Sequence, residues 1–205
     1  MQSAKTKQAI ADAGLSVGSR ARTRIVTTAL DFPTIGHQWL ARARLGVEVV
    51  VLPSPDGLTV PLAAFEAAVD ERTALIVTGH VYFTTGAVQD VAGLARLAHE
   101  RGALLVIDAY QATGLIATDL GAAAGEDRPD AYTSGTLKWL LGGPGNAFLW
   151  VRPELYPSLL PTTTGWFSSA RQFAFDGARL EFAADARRFE LGTPSIPSAF
   201  IARGG

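Results

Sequence analysis

The sequence contains no cysteine, so disulfides, thiolate catalysis and cysteine-ligated metals are excluded within these 205 residues. The three histidines, His37, His80 and His99, are too scattered to suggest a zinc site, and we expect no metal. No apolar run reaches the roughly 18 residues of a membrane-spanning helix, and the N-terminus lacks the apolar core of a signal peptide. We therefore expect a soluble, cytoplasmic protein.

An excess of charge of one sign is also missing. Eighteen basic side chains stand against 19 acidic ones, giving a formal net charge of -1 without long runs of either sign. Proteins that bind nucleic acid or anionic lipid surfaces carry a basic patch or stripe, and this sequence has none. We expect neither nucleic acid nor a membrane among the partners.

Short apolar runs alternate with helical patterns over most of the chain. The runs at 24–30, 47–53, 73–79 and 103–108 predict strands, with weaker candidates at 131–135 and 147–151. Between the third and fourth runs, "DVAGLARLAHERG" predicts a helix that begins after Asp90 as N-cap and stops at Gly102. This alternation favours a three-layer α/β/α fold with a mostly parallel sheet.

The pattern divides the chain into three segments. A helical or loop segment covers 1–23, the α/β core covers 24–152, and a loop-rich segment covers 153–205. Within the last segment, a polar helical stretch is predicted around 178–188.

A carboxylate ends one of the apolar runs. In "LLVIDAYQATG" (104–114), Asp108 follows four apolar residues, where an unpaired charge would cost several kcal/mol. In parallel sheets, ligands bind outside the carboxyl ends of the strands. Asp108 is therefore either a cap or turn residue, or the partner of a bound cation.

Lysine is scarce, with three lysines against fifteen arginines. Lys138 is the only one after residue 7, and it lies among Leu137, Trp139, Leu140 and Leu141. A desolvated lysine loses its proton readily and can form a Schiff base, which arginine cannot do. The alternative is a surface lysine whose stem packs on apolar neighbours. Together, a Schiff-base lysine and an acidic partner are what pyridoxal phosphate requires.

Linked motifs carry a family resemblance over roughly residues 24–197. "VIDAYQATG" (106–114) is followed by "SGTLKWLLGGPG" (134–145), and "ALDFPT" (29–34), "TGHVYFTTGAVQDVAGLARLAHERGA" (78–103), "TTGWFSS" (163–169) and "RFELGTPSIP" (188–197) accompany them. In this order they resemble the class V aminotransferase group of fold type I pyridoxal-phosphate enzymes, which includes the cysteine desulfurases and kynureninase. The resemblance implies the large domain of that fold, acting at the α-carbon of a small amino acid substrate by aminotransferase, lyase or kynureninase-like chemistry. It also implies a homodimer with active sites near the interface.

The resemblance further implies roles for individual residues. Lys138 would hold the aldehyde of pyridoxal 5'-phosphate as an internal aldimine, Asp108 would pair with the protonated pyridine nitrogen, and Gln111 would hydrogen-bond the ring oxygen. Phe32 would stack on the ring, unless it is ordinary core. The further expected cofactor contacts are Ser134, Thr136, Trp166 and, from the neighbouring subunit, Thr193 in the loop that begins at Gly192.

Three positions depart from the named subtypes. Leu137 replaces the tyrosine that precedes the lysine in kynureninase-like chains and the histidine of desulfurases. Ile35 replaces an acidic residue of the former, and Phe83 an asparagine of the latter. Family members also carry an upstream phosphate-gripping turn and a C-terminal small domain, so we expect this chain to be the central piece of a longer enzyme.

Two other interpretations remain. The chain is a catalytically incompetent truncated fragment that retains the core of the fold, or, as a minor alternative, an α/β-hydrolase using Ser16 in "GLSVG" (14–18). The hydrolase pattern requires a strand before the serine and a helix after it. Here a helical pattern precedes Ser16 and a polar stretch follows.

Overall fold

The computed structural model describes residues 22–161 and 163–205, which form a six-stranded sheet. Its strands are β1 (Arg24–Thr28), β2 (Glu48–Leu52), β3 (Thr73–Gly79), β4 (Leu104–Asp108), β5 (Ala131–Gly135) and β6 (Ala147–Val151). Each coincides with one of the six predicted apolar runs. Ser16, Lys5 and Lys7 lie outside the described residues.

The sheet has the order β2-β1-β3-β4-β5-β6, and every pair is parallel except β5 with β6. Parallel neighbours need a crossover between them, whereas β5 and β6 are joined directly by the loop that contains Lys138. The predicted mostly parallel sheet is confirmed. Its parallel strands direct their carboxyl ends to one edge.

The described residues also form four α-helices. They are α1 (Pro33–Leu40), α2 (Leu62–Ala68), α3 (Val91–Glu100) and α4 (Ile196–Ala202). The predicted N-cap of α3 is present, because Asp90 Oδ1 accepts a hydrogen bond from the Gly93 amide at 2.9 Å. Gly102 follows this helix with φ of +66°, a left-handed conformation typical of a helix stop. None of these helices combines the length and apolar character needed to cross a bilayer.

Two hydrophobic clusters lie on opposite faces of the sheet. On one face, Ile76 and Leu105 pack against α2 and α3, with Phe65 and Leu94 fully buried. On the other face, the residues that alternate with these along the strands, such as Leu75 and Val106, pack against α1 and the segment after β6. Successive side chains of a strand point to opposite faces, so each strand supplies both clusters. The three-layer α/β/α arrangement is confirmed.

The predicted helix around 178–188 is wrong. This stretch bridges back to residues 168–170, because the Ala170 amide donates to Glu181 O at 2.7 Å and the Ala183 amide to Ser168 O at 2.9 Å. Backbone groups bonded to another segment are not available for a helical ladder. Only a short 3₁₀ helix, Ala186–Phe189, forms at its end.

Candidate active site

A cavity of about 410 Å³ lies at the carboxyl ends of β1, β3 and β4. Segments that follow these strands and the β5–β6 loop supply its walls. The side chains that bear on function are Asp31, Phe32, Phe83, Asp108, Gln111 and Lys138. Four of them, Phe32, Asp108, Gln111 and Lys138, are predicted site residues, which the fold brings together from three separate segments.

Asp108 is the last residue of β4 and is only 9% exposed. Its Oδ1 accepts a hydrogen bond from the Tyr110 amide at 3.0 Å, and its carbonyl accepts one from the His80 amide at 2.9 Å. The first contact is the turn role expected of a strand-end aspartate. The second fixes Asp108 against the end of β3. The carboxylate therefore has a defined position in the cavity wall.

Gln111 and Phe32 line the same cavity as Asp108. Gln111 belongs to the turn after β4, where the Ala112 amide donates to Ala109 O at 3.0 Å. Phe32 is the N-cap of α1 and is 49% exposed, so it is not ordinary core. Its ring makes an edge-to-face contact with Phe83, with centroids 5.2 Å apart.

Lys138 lies in the β5–β6 loop and lines the cavity. The loop is held by the Thr136 hydroxyl, which donates to Gly143 O at 3.1 Å, and by the Gly142 amide, which donates to Thr136 O at 2.8 Å. Lys138 itself is exposed, as are its apolar neighbours Leu137 and Trp139. The desolvation expected from its apolar neighbours is therefore not present in the single chain.

The other four predicted contacts lie outside the cavity lining. Ser134 is fully buried in β5, and its hydroxyl donates to Ala109 O at 3.3 Å. Trp166, 41% exposed, stacks on Phe175 with ring centroids 5.5 Å apart. Thr193 is exposed, and Thr136 bonds within its own loop. Their cofactor roles remain predictions.

Asp31 is a cavity residue that the sequence interpretation did not single out. It follows β1 and is 8% exposed, and its carboxylate accepts four hydrogen bonds. Burial raises the pKa of this carboxyl, and the four hydrogen bonds oppose the rise. The signal that identifies Asp108, a carboxylate after a β-branched apolar run, was available for Asp31 as well.

Tyr82 is a second such residue. It lines the cavity, is 2% exposed and accepts a hydrogen bond from Gln89 Nε2. Burial raises the pKa of its phenol, which therefore stays protonated as a donor.

Comparison with known proteins identifies the family. The model of the family described as Aminotransferase class-V matches residues 3–203, and the chain belongs to this family. It is 39% identical over 197 residues to an uncharacterized aminotransferase, YcbU, of Bacillus subtilis (strain 168), an alignment that covers 94% of this chain and 50% of YcbU. It is also 34% identical over 182 residues to a kynureninase of Pseudomonas fluorescens, covering 86% of this chain and 41% of the kynureninase.

Solved structures share the fold. The apo structure of a cysteine desulfurase from Thermococcus onnurineus NA1 superposes with a TM-score of 0.78 at 22% identity, covering 98% of this chain and 49% of that one. The expected architecture, that of the fold type I large domain, is thus confirmed. The chain spans about half the length of the relatives it matches.

Proposed function

We propose that this chain forms part of a pyridoxal 5'-phosphate enzyme that acts at the α-carbon of an amino acid substrate. The observation that carries the proposal is the convergence of Lys138, Asp108, Gln111 and Phe32 on one cavity. The amine would meet the cofactor's aldehyde, and the carboxylate its pyridine nitrogen. The amide would meet the ring oxygen, and the aromatic face the ring. The cavity volume of about 410 Å³ is in the range of small-molecule sites.

The cofactor, when bound, supplies an electron sink for a carbanion at the substrate α-carbon. Lys138 would provide the amine that holds the cofactor's aldehyde. Asp108 would accept a hydrogen bond from the protonated pyridine nitrogen and balance its positive charge, a role that suits a carboxylate at the end of a buried strand. Gln111 orients the ring oxygen, and Phe32 presents an aromatic face to the ring.

The proposed phosphate contacts come from both chains of a homodimer. Ser134, Thr136 and Trp166 of one chain, with Thr193 of a second chain in a homodimer, are the proposed groups. The Ser134 and Thr136 hydroxyls already donate to carbonyls of their own chain, at 3.3 and 3.1 Å. Each has one proton to donate, so each must exchange its present partner to bind phosphate.

Three cavity positions distinguish this chain from the named subtypes. All three positions that depart from the named subtypes, Ile35, Phe83 and Leu137, line the cavity. Each places an apolar side chain where a subtype has a polar one. Neither desulfuration nor kynurenine cleavage is therefore proposed.

A second candidate is a catalytically incompetent chain that retains the fold core. The exposure of Lys138 favours it, because Leu137 and Trp139 are exposed beside it and, among the described residues, no apolar pocket encloses the amine in the single chain. The two candidates differ in whether a substrate is turned over, since both permit cofactor binding.

The test is to mix the chain with pyridoxal phosphate, reduce it with borohydride and map the labelled peptide. The label is expected on Lys138, and Lys138→Arg, which keeps the charge but cannot form the bond, should prevent it. A label confined to Lys5 or Lys7, or equal labelling of Lys138→Arg, would contradict the proposal. Unreduced chain loaded with pyridoxal phosphate is then assayed for turnover of amino acids. Turnover supports the first candidate, and its absence supports the second.

A further inference from the structure

The Asp31 carboxylate joins two neighbouring strands, with one oxygen for each strand. Oδ2 accepts hydrogen bonds from Thr27 Oγ1 at 2.9 Å and from the Thr28 amide at 2.8 Å, both in β1. Oδ1 accepts from Thr78 Oγ1 at 2.9 Å and from the Gly79 amide at 2.6 Å, both in β3. All four partners are donors, which is the set that a carboxylate satisfies.

These bonds lie where the β1–β3 pairing has ended. The register of the two strands runs from Arg24 to Val26 on β1, and its last partner on β3 is Ile76. Thr28 and Gly79 are beyond that last pair, and their amides both bond to Asp31. The side chain therefore replaces the ladder at the carboxyl ends, where the cavity opens.

Stability alone does not favour a buried carboxylate at this position. Asp31 is 8% exposed, and a buried carboxylate must recover a desolvation cost that a neutral group would not incur. Burial raises the pKa of its carboxyl against four opposing hydrogen bonds. Buried ionisable groups of this kind cluster at functional sites.

The two strands held by Asp31 carry groups of the proposed site. Phe32 follows Asp31 directly, and Gly79 is the register partner of Asp108. His80, the next residue, donates its amide to Asp108 O at 2.9 Å. Asp31 is thus hydrogen-bonded to Gly79, and Gly79 lies opposite Asp108 on the neighbouring strand.

We infer that Asp31 is a positioning residue: by tying the carboxyl ends of β1 and β3, it fixes Phe32 and Asp108 in the geometry that the cofactor ring requires. This inference rests on the proposed function. Asp31 also lines the cavity itself, but its oxygens are committed to the two strands.

The matched control is Asp70, which lies at the opposite ends of the same strands. Its carboxylate pairs with Arg24 of β1 at 2.6 Å and accepts from Thr73 Oγ1 of β3 at 3.2 Å. Asp31→Asn and Asp70→Asn each weaken a carboxylate link between β1 and β3. Only the first does so at the cavity.

The first measurement needs no cofactor. Amide hydrogen exchange at Thr28 and Gly79 should accelerate in Asp31→Asn and stay at the wild-type rate in Asp70→Asn. The second measurement is the pyridoxal phosphate concentration that gives half-maximal borohydride labelling of Lys138. This concentration should rise roughly 10- to 100-fold in Asp31→Asn, the usual effect of removing a residue that holds a site group in place. It should remain unchanged in Asp70→Asn.

Thr78→Val provides a second variant should Asp31→Asn not fold. It removes one donor to Oδ1 and keeps the carboxylate, so the half-labelling concentration should shift in the same direction by a smaller factor. Equal shifts in Asp31→Asn and Asp70→Asn would show a purely structural role and overturn this inference alone. Failure of wild-type Lys138 to label would overturn the proposed function and this inference with it.

Discussion

His99 Nε2 lies 3.0 Å from Asp130 Oδ2 at the end of the sheet opposite the cavity. Asp130 precedes β5 and Arg152 follows β6, and Arg152 Nη2 is 3.1 Å from the same imidazole nitrogen. The other nitrogen, Nδ1, is 2.8 Å from Glu126 Oε2. His99 on α3 therefore contacts both ends of the β5–β6 hairpin that carries Lys138.

We predict that the fold loses stability as His99 deprotonates. The pKa of His99 is raised, and the hydrogen bond to Asp130 is the largest cause. The negative charges of Asp130 and Glu126 also raise this pKa, whereas burial and the positive charge of Arg152 lower it by smaller amounts. The folded state then binds more protons than the unfolded state above the ordinary histidine pKa of about 6.5. The stabilisation is complete below that pH and is lost as pH rises through the folded-state pKa.

The measurement is the free energy of unfolding by urea at a series of pH values, for wild type, His99→Gln and His37→Gln. His37 is exposed and serves as the control. The wild-type advantage over His99→Gln should shrink with rising pH, whereas His37→Gln should follow wild type. An advantage that grows with pH would show that the neutral form is the one the fold prefers.

A second prediction concerns Asp108 as the partner of the pyridine nitrogen. Asp108→Asn keeps an acceptor for the Tyr110 amide but removes the charge. A hydrogen bond to a charged group contributes about 1.5–3 kcal/mol, so the Kd for pyridoxal phosphate should rise roughly tenfold or more. Titration by absorbance measures it, and thermal unfolding checks the fold. An unchanged Kd in folded Asp108→Asn would refute the assigned role.

A third prediction concerns Gly135, the last residue of β5. A Cβ there would lie 2.7 Å from Tyr110 Cε1 and 2.9 Å from Asn146 O, both in residues of the cavity wall. Gly135→Ala should therefore destabilise the fold by about 1–3 kcal/mol, the usual cost of overpacking. Gly36→Ala in α1 meets nothing within 4 Å and should stabilise by about 0.5–1 kcal/mol. Urea denaturation of both variants compares them, and equal effects would contradict the steric account.

Local patterns account for the predicted strands and for Asp108 and Lys138, whereas Gln111 and Phe32 were predicted from the family resemblance. The strands are short β-branched runs, and Asp108 and Lys138 stand out because a strand-end carboxylate and an isolated lysine are visible without knowing any contact. The Asp31 link could not be predicted in this way, because Thr78 and Gly79 are 47 and 48 residues away in sequence.

The present partners of Ser134 and Thr136 and the conformation of the last segment also depend on contacts that the sequence pattern does not show. Ser134 and Thr136 precede Lys138 closely, but the sequence does not say that their protons are committed to Ala109 O and Gly143 O. In the same way, the helical pattern near 178–188 gave no sign that Ala183 would bond to Ser168. The 178–188 stretch bonds to residues of another segment, so its own periodicity does not determine its conformation.

The last prediction is that this chain alone gains little affinity from the cofactor's phosphate. The Ser134 and Thr136 hydroxyls must leave carbonyl partners to reach a phosphate, and each exchange returns only part of a hydrogen bond's net worth of about 0.5–1.5 kcal/mol. Thr193 is proposed to act across a dimer, so its contribution should depend on protein concentration.

The measurement compares titrations with pyridoxal phosphate and with pyridoxal. At low protein concentration the two Kd values should lie within about tenfold of each other, since a larger ratio requires more than about 1.4 kcal/mol from the phosphate. At concentrations where sedimentation detects dimers the ratio should widen, and Thr193→Ala should remove that widening. A ratio far above tenfold in the monomer would show that the chain carries a complete phosphate site of its own.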